Sequence, residues 1–136
     1  MDSEARKQSN CNARQNISSG YAFEDAYGYS RAVRVGNQIY VSGTTARQPQ
    51  LSGDAYVQAK AALAIIADAL AEIGADMRHV VRTVVYVIDI GDTQHVARAH
   101  SEFFDQIRPA STLVQVSGLS PASARVEIEA TAVTCE

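Results

Sequence analysis

Tryptophan is absent, and the 136 residues hold only two cysteines, three prolines and eight glycines. Cys11 and Cys135 lie one near each end, which excludes a disulfide framework and points to free thiols in a reducing cytoplasm. No apolar run approaches the ~20 residues of a membrane helix. The stretch from Met1 to Gly20 has no apolar centre of the secretory kind. The 12 Lys and Arg are dispersed among 15 Asp and Glu, for a net charge of −3. Without a basic stripe, a nucleic-acid partner is not expected, nor is a membrane surface. Gly36, Gly43 and Gly53 lack the spacing of a phosphate-binding loop. His95 and His100 are five apart, roughly 140° around a helix axis, so they cannot share a metal from one face. No Cys/His spacing matches a zinc site, and nothing in the sequence pairs Ser42 or Ser111 with a histidine base. The expectation is therefore no metal.

What is present is a set of well-marked periodicities. Residues 1–13, rich in Ser, Asn, Arg and Lys, read as a disordered arm, followed by a single domain over 14–136. Arg14 to Ser18 reads as a short strand. Tyr29 to Val35 and Gln38 to Thr44 are β-rich runs joined by Gly36-Asn37, a dipeptide suited to a tight hairpin. From Asp54 to Ile73, Tyr56, Ala59, Leu63, Ile66, Leu70 and Ile73 form one helical stripe, with Ser52 or Asp54 to start it and Gly74 to end it. Val80 to Ile88 is a strand apolar on both faces. A second helix runs from Asp92 or Thr93 to about Ile107 with the stripe Val96, Ala99, Phe103 and Ile107, and Pro109 stops it. Leu113 to Val116 and Arg125 to Thr134 complete the order β-β-α-β-α-β-β.

This order implies an α+β fold, a mixed sheet with two helices packed on one face. The strand at 80–88 also needs cover on its second face. One chain has no element left to supply it, so a second subunit is expected there.

The last strand is the most informative. Val126-Glu127-Ile128-Glu129-Ala130-Thr131-Ala132-Val133 alternates strictly, so Val126, Ile128, Ala130 and Ala132 face a core while Glu127, Glu129 and Thr131 face away. Those glutamates are either a solvated face or the lining of a subunit interface, where a partly desolvated carboxylate has a raised pKa and acts on a water. Val41-Ser42-Gly43-Thr44-Thr45 is either a plain strand end or a close backbone approach to a ligand, with Gly43 leaving room.

Three segments together resemble the RidA/YjgF reactive-intermediate deaminase family, also called the endoribonuclease L-PSP family. They are Gly28-Tyr29-Ser30-Arg31-Ala32-Val33-Arg34-Val35-Gly36-Asn37 running to Val41-Ser42-Gly43; the helix with Gln58, Leu63 and Gly74 followed by Val81 to Asp89; and Arg108-Pro109-Ala110 followed by Val126-Glu127-Ile128-Glu129-Ala130. The resemblance spans about residues 14 to 134. It implies a chorismate-mutase-like fold, a homotrimeric barrel with intersubunit clefts, and hydrolysis of small enamines and imines to carbonyl compounds and ammonia without a cofactor. It assigns Glu127 to the water, and Tyr29, Ser42, Gly43 and the backbone at Leu113 to the pocket.

Two positions depart from the pattern. Ser111 stands where the family has an Arg that clamps the substrate carboxylate, and Gly91 stands where it has a pocket Asn. Each charge-assisted hydrogen bond of such a clamp contributes about 1.5–3 kcal/mol. The chain therefore sits with Arg-lacking branches, and inefficient turnover of 2-aminoacrylate is implied. Arg31, on the strand face of Tyr29, is the candidate substitute cation or else a salt-bridge residue; Ser111 and Thr112 complete the expected lining. The rival readings are a non-catalytic metabolite-binding trimer and, from the family's older name, a ribonuclease, which the charge balance disfavours.

Overall fold

A computed structural model describes residues 13–135; the arm expected over 1–13, bar its last residue, lies outside them. Six strands form one mixed sheet in the order β1-β2-β3-β6-β4-β5: β1 Arg14–Ile17, β2 Ala32–Val35, β3 Gln38–Thr44, β4 Val80–Val87, β5 Ala110–Gln115 and β6 Val126–Val133. Only the β4–β5 pairing is parallel. Helices α2 (Ala55–Glu72) and α3 (Thr93–Phe104) cover one face, and Leu63, Ile66, Leu70, Val96, Val85, Ile128 and Ala132 meet in the core between them and the sheet.

The alternation read from β6 is observed: Val126, Ile128, Ala130 and Ala132 are buried, while Glu127, Glu129 and Thr131 are partly exposed on the helix-free face. That face also carries Val84 and Tyr86 of β4, in register with Glu129 and Glu127, together with the exposed Tyr40 and Val114. Tyr40 is 49% and Val114 39% exposed there.

Asp54 starts α2 by accepting a hydrogen bond from the Val57 N–H at 2.9 Å. The buried Gln58 ties the helix to its surroundings. Its side-chain nitrogen donates to the Leu51 and Gly53 carbonyls, and its oxygen accepts from the Arg125 N–H at 2.8 Å, just before β6.

Four expectations need correction. Strand β5 begins at Ala110 rather than Leu113. A third helix, α1 (Ala22–Tyr27), precedes β2. Its apolar residues Phe23 and Tyr27 face outward while Glu24 is buried, the reverse of the amphipathic signal by which short helices are read. Consequently β2 begins at Ala32 rather than Tyr29. Finally, α3 ends at Phe104, where the Ile107 and Arg108 N–H groups turn back to the Phe104 carbonyl. This buries Phe104 in the core and leaves Phe103 at its margin.

Replacing Asp54 with Ala removes the only side-chain cap of α2 seen among the described residues. It is expected to lower stability by about 1 kcal/mol, measured by urea unfolding with an unchanged m-value.

Candidate active site

The site begins with a bulge. Between Val41 and Thr44 the β3–β6 register gains a residue, opposite the Ala130-to-Ile128 stretch. Bulges re-aim side chains and recur beside active sites. Here the bulge contains Ser42 and Gly43. A Cβ on Gly43 would fall 2.1 Å from Glu127 Oε2 and 2.9 Å from its Cδ, so the glycine is what lets the Glu127 carboxylate lie across β3.

Beneath the bulge sits Arg31, 1% exposed, in an ion pair with Glu24, 2% exposed. Arg31 Nη2 lies 3.2 Å from Glu24 Oε2 and donates to the Tyr29 hydroxyl at 3.0 Å. Nη1 donates to the Gly43 carbonyl at 2.8 Å and to Thr44 Oγ1 at 3.1 Å, and Nε donates to Glu24. Burial pushes the Glu24 carboxyl up, but hydrogen bonds from Ser19 and Ser18, with the Arg31 charge, hold it below the usual carboxylate range. Arg31 is thus a salt-bridge residue, in a buried pair within the chain, and it forms part of the cleft wall.

The cleft has a volume of about 410 Å³, within the range of small-molecule sites. Glu127, Glu129, Tyr29, Arg31, Ser42 and Gly43 line it, as do Tyr21, Phe23, Tyr27 and Arg47. Among the described residues nothing hydrogen-bonds the Glu127 carboxylate. Burial, then the neighbouring Glu129 charge, push its pKa above the ordinary 4.5, while Arg31 pulls the other way. Glu129 instead accepts a hydrogen bond from the Tyr86 hydroxyl at 2.7 Å, which raises the Tyr86 pKa. The arrangement offers one carboxylate free to exchange a proton with a water or ligand, beside aromatic walls.

The remaining expected residues lie elsewhere in the chain. Ser111, Thr112 and Leu113 are on β5, two strands from β6, and Gly91 sits in the turn after β4, its N–H donating to Asp89 Oδ1. Ser111 Oγ accepts from Thr83 Oγ1 at 2.7 Å, and Thr83 Oγ1 lies 2.9 Å from His100 Nε2. A histidine is thus linked to Ser111 through a threonine, which spacing could not reveal. Burial lowers the His100 pKa. Thr112 points to the helix-free face, where it accepts from Arg82 Nη2. Among the described residues no cluster of three His, Cys, Asp or Glu side chains could hold a metal. No described helix is long and apolar enough to cross a membrane.

Sequence reasoning missed Tyr21, Phe23, Tyr27 and Arg47. Phe23 and Tyr27 cluster with each other and with Tyr29 at ring-centroid distances of 5.5–6.2 Å, and Tyr21 packs against the Arg47 guanidinium. The one visible signal was the density of aromatic residues between Gly20 and Tyr29.

Residues 20–134 match the endoribonuclease L-PSP family. The chain belongs to that family. A solved member of the YjgF/YER057c/UK114 family from Mycobacterium tuberculosis superposes with a TM-score of 0.84 at 42% identity, covering 90% of this chain and all of that one. An uncharacterised protein of Streptomyces coelicolor is 37% identical over 116 residues, 83% of this chain and 87% of its own length. The human 2-iminobutanoate/2-iminopropanoate deaminase is 37% identical over 109 residues, 77% of this chain and 79% of its own.

Gly43→Ala is expected to leave the fold within about 1 kcal/mol of wild type, because the clashing group is the mobile end of a side chain. The Glu127 carboxylate must nevertheless swing out of the cleft. A crystal structure of the variant would show it displaced.

Proposed function

We propose that this L-PSP family member hydrolyses a small imine or enamine, in a homotrimer whose clefts lie between neighbouring subunits. The observation that carries this reading is the Glu127 carboxylate: partly buried, without a hydrogen bond among the described residues, raised in pKa and held over a glycine bulge. The likeness to imine deaminases supports it. So does the uncovered sheet face bearing Tyr40, Val84, Tyr86 and Val114, which a second subunit would cover.

The chemistry follows from the carboxylate. Ionised Glu127 accepts a proton from a water as that water's oxygen bonds to the carbon of the protonated imine. The C=N π electrons move to nitrogen and cancel its charge, and the product is a neutral carbinolamine. Glu127 returns its proton to the nitrogen; the C–N bond breaks, and the departing ammonia takes the hydroxyl proton as ammonium, which leaves the carbonyl. An enamine enters the same sequence after protonation at its β-carbon. General acid–base catalysis of this kind contributes about 10²–10⁴-fold. In the trimer, Gly91, Ser111, Thr112 and Leu113 of one subunit would face the Glu127 cleft of the next. With Ser111 in place of an arginine clamp, 2-aminoacrylate is a poor substrate.

Glu127→Gln should cut the catalysed rate of imine hydrolysis about 100-fold or more, followed as ammonia release. Equal rates would remove Glu127 from the mechanism, and ligand binding without turnover by wild type would make the protein a non-catalytic binding trimer. The wild-type rate should fall on the acid side with a midpoint above 4.5, because the reactive form is ionised and burial raises this carboxyl. The variant should be at least as stable as wild type at pH 7. Folded Glu127 holds its proton more tightly than the unfolded chain does, so ionising it costs stability as pH rises through the raised midpoint.

A further inference from the structure

Arg47 is the one cleft cation left unsatisfied. It lies in the loop after β3, its guanidinium carbon 3.5 Å from the Tyr21 ring centroid. Nη1 donates to the Thr45 carbonyl at 2.6 Å and to Thr45 Oγ1 at 3.1 Å. Nη2 is buried and has no hydrogen-bond partner among the described residues, and Arg47 forms no ion pair with them. Buried polar groups are rarely left so, and a lone charged donor is costlier still. Arg31, by contrast, has every guanidinium nitrogen engaged and its charge balanced by Glu24. The same cleft holds the proton-exchanging Glu127 at one part of its wall and a stacked, pre-oriented guanidinium at another.

We propose that Arg47 binds the carboxylate of the substrate, which is an imino or enamino acid carrying an aromatic or large apolar side chain. An arginine held on an aromatic ring is weakly hydrated and loses little freedom on meeting a planar oxyanion. Tyr21, Phe23 and Tyr27 supply the apolar wall for the side chain, and Phe23 and Tyr27 are exposed, 44% and 74%. The assignment rests on the imine-hydrolase reading of the cleft and explains how a chain with Ser111 can still take an anionic substrate. Burial, then the Arg31 charge, lower the Arg47 pKa, and the negative charge of an incoming carboxylate acts in the opposite direction.

The test uses two imines that differ only in the carboxylate. One is made in situ from phenylalanine by an amino acid oxidase, the other from phenethylamine by an amine oxidase. Phenylpyruvate, the product of the first, is titrated by calorimetry. Arg47→Met should lower kcat/KM for the phenylalanine imine about 10- to 100-fold, mostly through KM, and weaken phenylpyruvate binding comparably, a loss several-fold greater than that on the phenethylamine imine. Arg47→Lys, which keeps the charge but not the fork or the stack, should show a smaller loss confined to the carboxylate-bearing ligands, and it decides the matter should the Met variant fail to fold. Equal losses on both imines, or unchanged phenylpyruvate binding, would overturn the assignment even if Glu127-dependent turnover stands. Absence of turnover in wild type with Arg47-dependent phenylpyruvate binding would overturn the hydrolase reading and leave Arg47 in its place.

Discussion

The buried ion pair between Arg31 and Glu24 joins three pieces of chain that are far from self-evident neighbours. Glu24 comes from the short α1, Arg31 from the lead into β2, and the carbonyl of Gly43 from the β3 bulge. Taking both charges out of water is costly, and the pair is favourable only because nearly every remaining donor and acceptor is used. Ser18 and Ser19 complete the carboxylate; Tyr29 and Thr44 complete the guanidinium. Loss of either partner would strand a buried charge and loosen the bulge at the same time.

That pairing has an electrostatic consequence for the cleft. Arg31, paired with Glu24, pulls the Glu127 pKa down, but its effect ranks behind those of burial and Glu129. Burial and the nearby Glu129 then dominate, and the Glu127 proton is held more tightly than usual. Glu129 is satisfied by Tyr86, so the two neighbouring carboxylates on one strand face are chemically distinct. Separation of two like groups by their surroundings is a recurrent way to obtain acid–base function from ordinary residues. The stability given up at Glu127 is of the kind functional sites carry.

Much of this was legible in the chain. The period of two in β6 identified which residues leave the core, and so placed Glu127 on the correct face. The two-sided apolar character of β4 marked the sheet face that the helices leave open. The stripe in α2 gave its extent to within a residue, apart from the interior contribution of polar Gln58. What escaped was whatever depends on contacts between distant segments. Helix α1 buries its glutamate and exposes its aromatics, so no amphipathic pattern announces it. Arg47 follows a strand in an aperiodic loop, and its partner Tyr21 is remote in sequence. The link from Ser111 through Thr83 to His100 needs the parallel β4–β5 register, which no local pattern specifies.

The central claim is that Glu127 is kept protonatable because Arg31 is occupied by Glu24. Carboxyl-carbon NMR titration of glutamate-labelled protein, with Glu127→Gln used for assignment, measures this directly. The account predicts a Glu127 midpoint above the ordinary 4.5 in wild type, and a lower one in Glu24→Gln, where the freed Arg31 charge turns to Glu127. A wild-type midpoint at or below the ordinary value, or no response to Glu24→Gln, would contradict it.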